Sequence, residues 1–197
     1  MTTSGRIELM APAGNFESMQ AALDNGCDSI YFGVEQLNMR ARATVNFVLD
    51  DLPEIARRCN EKNVRTYLTL NTIIYDHDLS IVKTLLTKAK EAGITAVIAS
   101  DQAVIMTART IGIEVHISTQ LNVTNIETVK FYAMFADTIV LSRELSLRQV
   151  KKITEDIEKE QVKGPSGNLV EIEIFGHGAL CMAVSGKCYL SLHSDNS

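Results

Sequence analysis

The residues best suited to chemistry stand close together near the C-terminal end of the sequence. His177 and Cys181 come first, and Lys187 and Cys188 follow a few positions later among glycines and other small residues. An imidazole, two thiols and an ammonium group offer proton donors, metal ligands and an anion contact. The apolar, β-branched segment 170–175 precedes them and predicts a buried strand. Because ligands bind at the carboxyl ends of parallel strands, we expect a functional site here.

The cysteines of this stretch admit three interpretations. Cys181 and Cys188 could be two ligands of a metal centre, two small buried residues, or a labile disulfide. Their spacing does not match that of a zinc knuckle. Cys27 and Cys59 fall on a strand approach and on a helix face, where core packing is expected. His177 lies between two glycines, which offer little volume for packing, so we expect it to be a proton donor or a substrate contact.

Charged residues follow two other predicted strands. Arg40 and Arg42 come after the second strand, and Arg143 comes after the sixth, with Glu144 placed to orient it. Guanidinium groups bind carboxylates and phosphates through paired hydrogen bonds, although most arginines are ordinary surface charge. We therefore expect the arginines and Lys187 to contact an anionic substrate at the carboxyl ends of the strands, on the side where His177 also lies.

Other polar residues also end strands. Neutral hydrogen bonds to a substrate are expected from Asn71, Gln120 and Asn122. His116 lies inside an apolar strand and points either to the interior or to the helix layer, and His77 is expected to be a solvated loop residue.

The elements that position these residues alternate regularly. Seven β segments alternate with six helices, which predicts parallel strands with right-handed crossovers. No Gly-x-Gly-x-x-Gly follows the first strand, so we favour an α/β, parallel (β/α) barrel-like domain of the TIM-barrel type over an open doubly wound sheet. Residues 1–169 would supply six βα units, and residues 170–197 the seventh strand and the Cys/His loop of the same domain. The chain ends before an eighth unit, so we expect a truncated barrel.

Two details of the helices can be predicted from the sequence. Asn15 is the expected N-cap of the first helix. The helix over 146–159 is expected to direct four apolar side chains inward, those of Leu147, Val150, Ile153 and Ile157.

Composition limits the class of protein. The 197 residues are 46% apolar and 22% charged, enough to bury a core and too apolar for wholesale disorder. A net charge of −5 argues against a generally basic nucleic-acid surface, leaving at most a local patch. No apolar run approaches the ~20 residues of a membrane span, and the first residues lack a signal-peptide core, so we expect no membrane partner and a cytoplasmic protein. Four cysteines in such a chain favour metal ligands or core residues over disulfides.

The stretch described first also resembles a known family. Glu-x-Phe-x-His-Gly-Ala-Leu-Cys over 173–181, followed by Ser-Gly-Lys-Cys over 185–188, resembles the signature of peptidase family U32, the collagenase-like peptidases. Further segments of the sequence also fit that family, at 9–15, 22–33, 118–122 and 141–147. The resemblance covers nearly the whole chain and implies a barrel-like α/β domain.

The resemblance also implies a chemistry. Cys181 and Cys188 would be two of the four thiolate ligands of a [4Fe–4S] cluster, with the other two beyond Ser197, so this chain alone would hold no stable cluster. The catalytic candidates are His177 and Lys187. Within the family, segments 118–122 and 141–147 are most similar to the branch that forms 5-hydroxyuridine in tRNA. That branch takes its oxygen from prephenate, a dicarboxylate that an arginine cluster would suit.

Two alternatives compete with RNA hydroxylation by the longer protein. The first is a collagenase-like peptidase, although the sequence has no His-Glu-x-x-His metal site and no nucleophile with an assignable base. The second is a non-catalytic fragment. A barrel without its last unit would expose strand edges, so self-association of the chain is also expected.

Overall fold

The computed structural model describes residues 7–34, 47–178 and 183–187. The chain divides into two compact units, which we call unit 1 (residues 1–114) and unit 2 (residues 115–197). In both units, strands alternate with helices along the chain, as the sequence predicts.

Unit 1 contains four strands whose neighbours follow the chain order. Each of its strand pairs, β1 with β2, β2 with β3 and β3 with β4, is parallel, as predicted. Its elements are β1 (Met10–Pro12), α1 (Phe16–Asp24), β2 (Ser29–Phe32), α2 (Leu52–Glu61), β3 (Arg65–Leu70), α3 (Leu79–Ala92), β4 (Ala96–Ala99) and α4 (Gln102–Ile111).

Local chemistry explains where the first helix begins. Asn15 Oδ1 accepts a hydrogen bond from the backbone N–H of Ser18 at 2.8 Å, and Ser18 Oγ accepts one from the N–H of Asn15 at 3.1 Å. This reciprocal pair satisfies two N–H groups that have no partner within the helix. The predicted N-cap is confirmed.

Apolar side chains pack on both faces of the strands of unit 1. Ile30, Leu68 and Leu86 are fully buried, and a second cluster contains Tyr67, Ala96 and Ile98, with Met10 and Tyr31 packed against it. The thiols of Cys27 and Cys59 are buried, which confirms the core role predicted for both. His77 is 80% exposed and stacks on Tyr75, as expected of a loop residue.

Unit 2 carries the last three strands. Its elements are β5 (Glu114–Ile117, whose first residue closes unit 1), α5 (Ile126–Ala133), β6 (Thr138–Val140), α6 (Leu147–Glu160) and β7 (Glu171–Glu173). β5 pairs with β6, and β6 with β7, both in parallel. The register sets His116 opposite Thr138, Thr138 opposite Glu171, and Val140 opposite Glu173.

Two predictions about burial in unit 2 are wrong. Leu147, expected to point inward, is 76% exposed, whereas Ile153 and Ile157 are buried. At about 100° per residue, Leu147 lies roughly 120° around the helix from Ile153, outside the apolar stripe. The segment 170–175 was expected to be a buried strand, but β7 ends at Glu173, and Ile174 and Phe175 are 46% and 50% exposed. They follow the last register pair with β6, so that strand cannot shield them.

Within the described ranges, no helix is both long enough and apolar enough to cross a membrane.

Candidate functional site

A short turn in unit 2 is fastened to the loop that follows β6. We call residues 183–187 the anchored turn. The backbone N–H of Ser185 donates to Glu144 Oε1 at 2.6 Å. Arg143 donates from its backbone N–H and its Nε to Ser185 Oγ, at 3.3 and 3.4 Å, and from Nη2 to the carbonyl of Ala183 at 3.2 Å. Ser185 is 1% exposed, so these bonds satisfy polar groups that water does not reach.

A glycine brings the anchored turn against the loop after β5. Gly186 has a φ of +74°, and a Cβ at this position would overlap the carbonyl oxygen of Gln120. The N–H of Lys187 donates to the carbonyl of Val184 at 3.0 Å and closes the turn. Both the left-handed backbone and the close approach require glycine. The part of Gln120 that meets the turn is therefore its backbone, whereas the sequence suggested its side chain.

The loops after β5 and β6 are also joined to each other. Asn122 adopts a left-handed conformation (φ 52°), and its Oδ1 accepts a hydrogen bond from Ser142 Oγ at 2.7 Å. The backbone N–H of Gln120 donates to Ser118 Oγ at 3.3 Å. These contacts give Asn122 a structural task in addition to its predicted contact with a substrate. Asn71 lies in unit 1, directly after β3, and is half-buried.

The structure gives the predicted cations different surroundings. Arg143 is exposed but uses two of its guanidinium nitrogens to hold the anchored turn. Lys187 and His177 are both exposed, the first within the anchored turn and the second four positions after β7 ends. Glu144, expected to orient Arg143, accepts a hydrogen bond from the N–H of Ser185, and its orienting role stays a prediction. The contact of Arg143 and Lys187 with an anionic substrate stays a prediction.

The charge state of Glu144 makes the anchored turn sensitive to acid. Burial raises the pKa of Glu144, but the hydrogen bonds from Ser185 and from its own backbone, with Arg143 nearby, outweigh burial and hold that pKa below its usual range. A depressed pKa means that the ionised carboxylate stabilises the folded turn above the ordinary pKa of glutamate, and that this stabilisation is lost as pH falls through the folded value.

We therefore expect the protection factor of the Ser185 amide, measured by hydrogen exchange and corrected for intrinsic rates, to fall between about pH 6 and about pH 3. Glu144→Gln keeps a carbonyl acceptor but no titrating charge, so its protection factor should start lower and change little over that range. A wild-type protection factor that does not depend on pH would contradict this role of Glu144.

Four predicted site residues lie outside the described part of the chain. They are Arg40, Arg42, Cys181 and Cys188. Where the structure does describe residues, no group of three or more His, Cys, Asp or Glu side chains is arranged to hold a metal ion.

The two cysteines of unit 1 lie within the described residues, and both thiols are buried. Burial, followed by the nearby Cys27, raises the pKa of Cys59 to about 11. Since the thiolate is the reactive form, native Cys59 should resist iodoacetamide at neutral pH for as long as unit 1 stays folded. Mass spectrometry of tryptic peptides should show Cys59 labelled at least tenfold more slowly in the native protein than in urea. Equal labelling rates would show that the thiol is accessible in the native state.

Sequence reasoning missed two residues of this region. The sequence marks Ser185 as part of a motif, but the structure shows that it accepts two hydrogen bonds from Arg143 and donates its backbone N–H to Glu144, while Ala183 accepts a third bond from Arg143. Glu173 opens the motif at 173–181, and its carboxyl group is largely buried. Burial raises its pKa, and His116 acts in the opposite direction without cancelling the effect. The available signal was a carboxylate inside a segment predicted to be a buried strand.

The sequence model of peptidase family U32 matches residues 14–197. A collagenase from Porphyromonas gingivalis is 55% identical over 97% of this chain and 46% of its own length. The tRNA hydroxylation protein P1 of Bacillus subtilis is 31% identical over 94% of this chain and 42% of its own length. The 23S rRNA 5-hydroxycytidine C2501 synthase of Escherichia coli is 33% identical over 96% of this chain and 27% of its own length. The chain thus spans less than half the length of these relatives.

Solved structures bear on the fold alone. A U32 peptidase superposes with a TM-score of 0.63 at 15% identity, covering 88% of this chain and 70% of that one. The tryptophan synthase α subunit of Legionella pneumophila gives 0.54 at 17% identity, covering 86% of this chain and 73% of that one. Together with the parallel strand pairs, these likenesses confirm the predicted (β/α) barrel-type fold.

Proposed function

The chain belongs to peptidase family U32, and from that membership we propose that the protein containing it hydroxylates a pyrimidine base in RNA, with a tRNA uridine as substrate and prephenate as oxygen donor. Relatives named for tRNA hydroxylation and for 5-hydroxycytidine synthesis in rRNA align with 94% and 96% of the chain. The observation that carries the proposal is the anchored turn, which lies between the positions of Cys181 and Cys188 and is held by contacts within the chain.

The proposed cofactor is a [4Fe–4S] cluster. Cys181 and Cys188 would supply two of its thiolates, the ligand type that such clusters use, and residues outside this chain would supply the others. The anchored turn fits this role, because it is a short segment in which the N–H groups of Ser185 and Lys187 are hydrogen-bonded within the chain. When bound, the cluster would supply electron transfer.

The chain's own residues would bind and orient the substrates. Lys187 exposes an ammonium group beside Ser185, where it would contact a carboxylate of prephenate or a phosphate of the RNA. Arg143 keeps the segment that carries Lys187 in place. His177, exposed on the loop after β7, would donate or accept a proton.

The test uses RNA from cells. Deletion of the gene that encodes this chain should remove a pyrimidine nucleoside carrying one additional oxygen atom from digested tRNA, as measured by mass spectrometry. The wild-type gene should restore this nucleoside, whereas a gene carrying Cys181→Ser should not restore it. The matched control Cys27→Ala should restore it, since Cys27 is a buried core residue. An unchanged nucleoside profile in both tRNA and rRNA after deletion would refute the proposal.

A second candidate is a collagenase-like peptidase, favoured by the 55% identity to a protein named collagenase. Purified wild-type protein would then release peptides from gelatin, and Cys181→Ser would retain that activity. Release that disappears with Cys181→Ser, or no release at all, would count against a peptidase that acts independently of the proposed cluster.

A further inference from the structure

Unit 2 concentrates buried polar side chains around its strands. Among the described residues, the buried polar side chains of unit 2 number five, against two in unit 1. Those in unit 2 are His116, Ser118, Thr138, Ser142 and Ser185. A buried polar group costs free energy unless it finds a partner, and Ser118, Ser142 and Ser185 find theirs in the loops next to the anchored turn. A polar ligand at this end of unit 2 would therefore have to meet the polar side chains of the strands themselves.

The strands of unit 2 separate this polar surface from an apolar one. His116 lies opposite Thr138, and Val140 lies opposite Glu173. Because side chains two positions apart on a strand point to the same side, His116, Thr138 and Glu173 share one face with Val140, and we call this face the polar face. Alternation directs Ile117, Ile139 and Ile172 to the other face, where Ile117 and Ile139 are fully buried.

The carboxyl group of Glu173 is incompletely satisfied on the polar face. Its Oε2 is buried, and the described part of the chain provides no hydrogen-bond partner for that atom. His116 is close enough to act on Glu173 electrostatically, yet burial outweighs it and raises the pKa of the carboxyl group, so burial stabilises the neutral form relative to a solvated glutamate. A neutral carboxyl group presents one donor and one acceptor side by side, whereas an ionised carboxylate presents acceptors only.

We propose that Glu173 binds the hydrogen-bonding edge of a pyrimidine base at the carboxyl end of β7. The inference rests on the proposed function and identifies the side chain that would recognise the base. The uracil edge offers N3–H beside a carbonyl oxygen, and the cytosine edge offers its amino group beside N3. Each pairs with a group that has one donor and one acceptor, which explains how one carboxyl group would serve either base. The exposed Lys187 would meet the phosphate.

Ligand binding by four combinations of protein and probe tests this directly. The probe is uridine 5′-monophosphate, and its control is the same nucleotide methylated at N3, which lacks the N–H. Binding is followed by saturation-transfer NMR and by calorimetry. We expect the N3-methyl probe to bind wild-type protein at least tenfold more weakly. Glu173→Gln keeps one donor and one acceptor and should bind the unmodified probe within about threefold of wild type, whereas Glu173→Met should bind it at least tenfold more weakly.

Several results would overturn the inference. These are no binding of the unmodified probe to wild-type protein, equal binding of both probes, or full binding by Glu173→Met. If Glu173→Met fails to fold, as judged by its thermal transition, the two probes on wild-type protein and on Glu173→Gln still decide the question. Loss of the hydroxylated nucleoside on gene deletion, together with equal binding of both probes, would sink this inference and leave the proposed function standing. Weaker binding of the N3-methyl probe, together with an unchanged nucleoside profile after gene deletion, would refute the proposed function and leave the base-binding role of Glu173 standing.

Discussion

Gly186→Ala should release the anchored turn while leaving the rest of unit 2 folded. An alanine at φ +74° is strained by about 1–2 kcal/mol, and its Cβ would also overlap the carbonyl oxygen of Gln120, so the turn must move away from the loop after β5. Hydrogen-exchange mass spectrometry should show the protection of residues 183–187 reduced at least tenfold. Thermal unfolding of unit 2 should change little, because its core lies elsewhere.

Gly167→Ala is the matched control for this substitution. Gly167 has a similar φ of +82°, but no atom lies within 4 Å of the position that a Cβ would take. The alanine substitution at this position therefore imposes the same backbone strain, in the loop before β7, without an overlap with another atom. Exchange at residues 183–187 should remain as in the wild type. If both alanine variants, or neither, release the anchored turn, its contact with Gln120 is not what holds it.

Ile139→Ala should cause the largest loss of stability among these changes. Ile139 is fully buried in β6, the central strand of unit 2, which packs against α5. Removing a buried isoleucine side chain costs about 2–5 kcal/mol, because apolar contact is lost and a cavity remains. For a chain of this length that corresponds to a melting temperature lower by roughly 4–20 °C. Calorimetry or urea denaturation followed by circular dichroism would measure it.

Ile174→Ala removes the same atoms from an exposed position. Ile174 is 46% exposed just after β7, so its truncation should cost about 1 kcal/mol or less. Equal destabilisation by the two substitutions would show that the face carrying Ile139 is not the core of unit 2.

The fold could be predicted because its signals are local. The alternation of apolar segments and one-sided helices indicated parallel strands, and the N-cap Asn15 involves residues three positions apart. The buried positions of Cys27 and Cys59 followed from the same periodicity. The exposure of Leu147 does not follow from its apolar character, because this residue lies in the first turn of α6, outside the stripe whose phase is set by Ile153 and Ile157.

The details of the site depend on residues far apart in the sequence. Arg143 and Ser185 are 42 positions apart, and Ser185 meets Glu144 at a separation of 41. No periodicity connects them, so the sequence indicated a chemically rich segment without showing that Arg143 and Glu144 hold it. The direction of His116 was equally open, because both faces of a strand in a barrel are buried. The register with Thr138 and the influence of His116 on Glu173 place it on the polar face.

The anchored turn also affects the entropy of binding. Ordering one residue costs about 1–2 kcal/mol in conformational entropy, so a disordered segment of this length would weaken the binding of any ligand that must order it by several kcal/mol. Here the contacts of Arg143, Glu144 and Gly186 already order the segment in the folded protein. A ligand that contacts Lys187 therefore finds its partner already in position. Gly186→Ala should accordingly weaken such binding through a more negative entropy of association, with a smaller change in the enthalpy, in a calorimetric titration.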